Sequence, residues 1–103
     1  MIIRVFRAKV REGKQREFEK FFLEKAVPHV KSQPGLVSLT VGKPLPSSPD
    51  EFLMMMLWTD IESVKAFAGT EWEKAVILDD ERHLIKEVFV YHYERIDLGK
   101  RTV

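Results

Sequence analysis

The chain has 103 residues, the length of a single domain. At 45% hydrophobic and 32% charged, with a formal net charge of +1, it reads as a globule that lacks the basic tract of a nucleic-acid binder or an acidic tail. Cysteine is absent, which excludes disulfides and cysteine nucleophiles, and no apolar run approaches the roughly 20 residues of a membrane span.

Ile2 to Val10 alternates apolar and polar residues and is rich in β-branched side chains, so it predicts a first strand. The sequence opens on this strand rather than on a signal peptide, and a cytoplasmic protein is expected. Arg11 to Lys14 is the turn. From Gln15 the spacing becomes helical, with Phe18, Phe21, Phe22, Lys25, Ala26, His29 and Val30 on one stripe. Pro28 interrupts it, so the helix either kinks or restarts there. Gln33-Pro-Gly35 ends it. Leu36 to Lys43 predicts a second strand, with Val37, Leu39 and Val41 on one face. Pro44 to Asp50 holds three prolines and is read as an irregular loop.

Glu51 to Asp60, Glu-Phe-Leu-Met-Met-Met-Leu-Trp-Thr-Asp, is the stretch around which the rest is arranged, with its apolar run ending at Trp58. It is short enough to be a strand. Phe52, Met54, Met56 and Trp58 point one way, and Leu53, Met55 and Leu57 the other. Both sets are apolar, so this strand needs cover above and below. Thr59 or Asp60 caps a helix to Ala68, which Gly69 stops. Thr70 is expected to cap a short helix with Trp72, Ala75 and Val76 on one face. Asp79 to His83 is a polar connection of about one helical turn, and Glu87 to Arg95 is a fourth strand. Residues 97–103 form a tail behind a domain of residues 1–96.

The order is β-α-β-β-α-β, which predicts the ferredoxin-like α+β fold: a four-stranded antiparallel sheet with both helices on one side. Two helices cover one face of such a sheet, yet both faces are apolar here. One carries Ile3, Val5, Val37, Leu39, Val41, Leu53, Met55, Leu57, Phe89, Tyr91 and Tyr93. The other carries Phe6, Ala8, Leu36, Met54, Met56, Trp58, Val88 and Val90, with Arg4, Ser38, Thr40 and His92 among them. An uncovered apolar sheet is too large a patch for a monomer. The expectation is a homodimer of two sheets packed face to face.

Several segments carry a family likeness: Arg-Glu-Gly-Lys-Gln-Arg-Glu-Phe from Arg11, Gln-Pro-Gly-Leu from Gln33, Leu-Trp-Thr-Asp-Ile-Glu-Ser-Val-Lys-Ala-Phe from Leu57, and Val-Tyr-His-Tyr-Glu from Val90. In this order and spacing, over residues 1–96, the chain resembles the antibiotic biosynthesis monooxygenase (ABM) family. The resemblance implies a dimeric α+β barrel and oxygenation of electron-rich aromatics without metal or flavin. Its haem-degrading branch uses an Asn on the first strand, a Trp on the second helix and a His shortly after. Those positions hold Phe6, Phe67 and Ile77 here, a departure that argues against haem degradation. Trp58 looks like the Trp common at the end of the family's third strand.

His29, His83 and His92 are the candidate acids or bases, because imidazole titrates near neutral pH. Each has a plainer reading. His29 fits a helix end with one nitrogen in water, His83 a solvated connector, and His92 a strand residue satisfied by a neighbour. Their spacing is not that of a metal site, and none is expected. Phe6, Met54, Met56, Trp58, Phe67 and Trp72 would suit a flat aromatic ligand, or would simply be core. Arg4 and Arg7 lie on opposite faces of the first strand, so one must meet a buried surface. There it pairs with an acid such as Glu94, stacks on a Tyr, or binds an anion.

Three functions compete. The first is a cofactor-independent monooxygenase acting on a quinol- or phenol-type substrate. The second is a non-oxidative, isomerase-like enzyme for a small acid, which needs a fixed cation in the pocket. The third is a ligand-binding module without turnover. RNA binding through the sheet is disfavoured because the faces are too aliphatic.

Overall fold

The computed structural model describes residues 1–99, the side chain of Asp80 apart. Four strands, β1 (Ile2–Val10), β2 (Leu36–Gly42), β3 (Glu51–Trp58) and β4 (Ile85–Glu94), form one antiparallel sheet in the order β2-β3-β1-β4. This is the expected ferredoxin-like arrangement. Helix α1 (Gln15–Phe21) follows β1, and α3 (Ile61–Ala68) follows β3. Arg4, Phe6, Ala8 and Val10 of β1, and Phe52, Met54, Met56 and Trp58 of β3, are all buried on the helix-covered face.

Pro28 neither breaks nor ends the first helix. A π turn (Phe22–Ala26) follows α1 and leads without interruption into α2 (Val27–Lys31), which contains Pro28. Proline lacks an N–H and its ring crowds the carbonyl four residues back. The wider turn, in which Val27 N–H donates to Phe22 O five residues back, relieves that crowding within a continuous helical path. Phe18, Phe21, Phe22 and Val30 remain buried against the sheet.

The second strand departs from the expected alternation. Leu36 pairs with Trp58, but the next pair is Ser38 with Leu57, so Val37 is an extra residue in the ladder. A one-residue slip swaps the faces of everything beyond it. Ser38 and Thr40 therefore join Leu57 and Met55 on the open face. Leu39 and Val41 pair with Met56 and Met54, and Leu39 packs on the core. The expected placement of Leu39 and Val41 on the open face is corrected by this bulge.

The expected short helix after Thr70 is also absent. Residues 70–73 form turns, and no helix intervenes before a 3-10 turn at Asp79–Leu84. The carbonyls of Trp72 and Lys74, which a helix would use, instead accept hydrogen bonds from Arg4. β4 begins at Ile85, two residues before the expected start. Most of the expected tail, residues 100–103, lies outside the described residues.

Asp60 is the cap of α3, its carboxylate accepting from Ser63 N at 2.8 Å and Ser63 Oγ at 2.9 Å. Those bonds, the backbone one first, hold its carboxyl below the usual carboxylate range. Gly35 has φ +88°, and a Cβ there would lie 2.2 Å from Ser63 Oγ. Only a residue without a side chain lets the turn before β2 meet the start of α3 this closely.

Candidate functional site

Helices and sheet leave between them a cleft of about 450 Å³, part of it open to solvent. Its floor is Phe6, Met54 and Met56. These side chains share a face because Phe6 pairs with Met54, and Arg4 with Met56, across the two central strands. One wall is helical. Phe22 and Ala26 come from the π turn, and His29 and Val30 from α2. The facing wall is Phe67 of α3 with Val76, Leu78 and Glu81 of the connection to β4. Behind Phe67 lies Trp58, fully buried and stacked on it at 5.2 Å and 28°. The Trp58 indole N–H has no acceptor among the described residues.

Arg4 closes the inner end and is 1% exposed. Its Nη1 donates to Trp72 O at 2.5 Å and lies 2.8 Å from His92 Nε2, while Nη2 donates to Lys74 O at 2.9 Å. The guanidinium carbon sits 5.6 Å from the Phe67 ring centre. No carboxylate among the described residues pairs with it. Burial pulls its pKa from 12.5 to about 10, so it stays a cation at neutral pH. His92 receives a donor at Nε2, which assigns the ring proton to Nδ1 of a neutral imidazole. Burial first, and then the charge of Arg4, pushes its pKa below the ordinary value. Trp72 lies edge-on to His92 at 5.0 Å.

His29 stands at the outer end of the cleft, its ring 5.8 Å from that of Phe67. Arg4 and His29 thus flank the same phenyl ring. Glu81 is buried and accepts from Leu78 N at 3.2 Å. His83 is elsewhere, exposed on the 3-10 turn with Nε2 3.0 Å from Glu17 Oε2. That hydrogen bond is the main cause holding the Glu17 carboxyl below its usual range. Among the described residues, no three His, Asp or Glu side chains gather as a metal site.

Residues 1–77 match the family model for antibiotic biosynthesis monooxygenase. The chain belongs to the ABM family. No curated protein matches it. Among solved structures, a Deinococcus radiodurans protein named for the same family is 16% identical, with a TM-score of 0.76 over 100% of both chains. One from Nitrosomonas europaea is 14% identical, with a TM-score of 0.72 over 94% of this chain and 100% of that one. The heme-degrader MhuD of Mycobacterium tuberculosis, solved with two hemes in its active site, is 17% identical. Its TM-score is 0.69, over 96% of this chain and 100% of its own. At these identities the likeness is one of fold.

In this ABM member, the cleft brings together Arg4, Phe6, His29, Met54, Met56 and Phe67 of the residues singled out from the sequence. Trp58 and Trp72 do not line it, and neither do His83 and His92. His92 reaches it through Arg4. Glu94 does not partner Arg4; the partners are two carbonyls and an imidazole. The acid on the wall, Glu81, went unseen because it sits in a charged run that reads as solvated connection. Leu78, three residues earlier, has no side-chain acceptor, so the sequence carries no capping box to mark Glu81; only the folded chain shows its carboxylate accepting from Leu78 N.

Proposed function

We propose that this ABM-family protein is a monooxygenase-type enzyme. Its cleft takes a small aromatic of the quinol or phenol type, with Phe6, Met54, Met56 and Phe67 against the ring. The observation that carries this reading is His29, the one histidine lining an otherwise largely apolar cleft among the described residues. His29 accepts the hydroxyl proton, leaving an electron-rich phenolate. That anion gives electrons to O2, and a ring carbon bearing hydrogen forms a C–O bond. The O–O bond then breaks as that carbon loses its proton. One oxygen atom stays as the carbonyl of a quinone, and the other leaves as water. Substrate and O2 balance the reaction, and no cofactor is required. The apolar walls keep bulk water from the intermediate.

The test is oxygen uptake with a panel of dihydroxynaphthalenes, with product analysis under 18O2. Uptake above the buffer rate, with label in the quinone and loss in His29→Ala, is expected. A rate equal to buffer, or one unchanged in His29→Ala, would overturn the reading. One observation favours a second reading: Arg4 supplies the fixed cation that an isomerase-like reaction on a small acid needs. Product formed without oxygen uptake would mark that chemistry. A ligand-induced thermal shift without any product would mark a binding module.

The same reading includes a cytoplasmic homodimer. Support comes from the sheet face that no helix covers, which presents Ile3, Val5, Leu53, Met55, Leu57, Phe89, Tyr91 and Tyr93. Met55, Tyr91 and Tyr93 are 41%, 44% and 54% exposed. Arg7 fixes a rim beside it, paired with Glu51 and lying 4.9 Å over the Phe89 ring. A second copy, sheet on sheet, hides this face. Among the described residues, no helix is long and apolar enough to cross a membrane.

A further inference from the structure

We infer that the ligand of this cleft is an anion, an aromatic bearing an ionised oxygen that seats on the buried guanidinium of Arg4. The inference rests on the cleft reading above and adds the charge class of what binds.

A buried cation is normally paired with a carboxylate, because leaving water carries a desolvation cost that neutral dipoles repay only in part. Arg4 is 1% exposed and lines the cleft, yet no acid among the described residues pairs with it. Its partners are two backbone carbonyls and a neutral histidine. Two of its five N–H groups, Nε–H and the second on Nη2, have no protein acceptor among these bonds. A carboxylate or phenolate oxygen satisfies them and neutralises the charge. It also meets a rigid group, since the carbonyls of Trp72 and Lys74 fix the guanidinium plane before any ligand arrives. The aromatic body then runs over Phe6, Met54 and Met56 towards His29, with Phe67 beside both ends.

The test compares 1-naphthoate with its neutral isostere 1-naphthamide at pH 7, by calorimetry and by the methyl signals of Met54 and Met56. A gain of roughly tenfold or more in affinity for the anion is expected, with both methyl signals shifted. A second arm follows 1-naphthol through its own ionisation, which separates a phenolate-seeking site from a carboxylate-seeking one. A gain in either arm supports the inference. Arg4→Met should abolish the gain and Arg4→Lys should keep part of it. Equal affinity for charged and neutral probes in both arms would overturn the inference and leave the cleft reading standing. No binding of any probe would overturn both. If Arg4→Met fails to fold, the comparison of charged and neutral probes on the unaltered protein still decides the question.

Discussion

Met55→Lys is expected to separate the dimer from the fold. Met55 lies mid-strand on the open face, opposite Val5 in β1 and Thr40 in β2, and it is 41% exposed. In a lone subunit the lysine stem lies along the same sheet and the ammonium reaches water, so stability changes by about 1 kcal/mol or less. In a sheet-on-sheet dimer the two-fold axis brings two such ammonium groups into one apolar contact. An interface of about 800 Å² per subunit offers roughly 20 kcal/mol of gross hydrophobic stabilisation per subunit, against association costs of about 4–15 kcal/mol. Two unpaired buried charges cost several kcal/mol each, enough to weaken the dimer by about a thousandfold or more. Sedimentation velocity at micromolar concentration reads the mass, and urea unfolding of the monomeric variant reads the fold. The account predicts twice the chain mass for the natural protein and a folded single chain for Met55→Lys. A natural protein that sediments as one chain, or a variant that associates as tightly, would refute the reasoning.

Gly35→Ala should destabilise by more than the usual surface substitution. The new Cβ meets Ser63 Oγ and Cβ at 2.2 and 2.5 Å, and φ stays at +88°. A loss of about 2 kcal/mol or more is expected, read as a fall in Tm of roughly 8 °C or more, and an unchanged Tm would contradict it. His92 carries a pH dependence of known sign. Its folded pKa is lowered, so the unfolded chain binds the proton more readily. Its contribution is complete above the ordinary value of 6.5 and is lost as pH falls from there through the lowered folded value. Urea midpoints at pH 7.5 and 5.5 should differ less in His92→Gln, which keeps an acceptor for Arg4, than in the natural protein. Equal differences would rule out the assignment.

The alternation of β1 and β3 was legible because both are central and regular, and the sequence pattern put Phe6, Met54, Met56 and Trp58 on one face. The faces of β2 were not legible. A bulge at Val37 leaves composition untouched and only shifts the pairing, so nothing in Leu-Val-Ser-Leu-Thr-Val announces it. The segment after Gly69 misled for another reason. Trp72, Ala75 and Val76 fit a helical face, but Arg4, some 70 residues earlier, takes the carbonyls that a helix would need. Local propensity lost to a long-range charge-assisted bond. At the site, His29 was visible from its stripe, whereas the depth of Arg4 followed only from which strand face the helices cover.

The account's central claim is a division of labour between the two sides of one sheet, and consecutive methionines report on it. Met54 and Met56 face the cleft, and Met55 faces the open side. Methyl spectra of 13C-methionine protein, recorded under anaerobic conditions with and without 1,5-dihydroxynaphthalene and then on dilution, read both sides in one sample. The account predicts that the ligand moves Met54 and Met56 but not Met55, and that dilution moves Met55 but not the other two. A ligand that moves Met55 and leaves its neighbours still would contradict it.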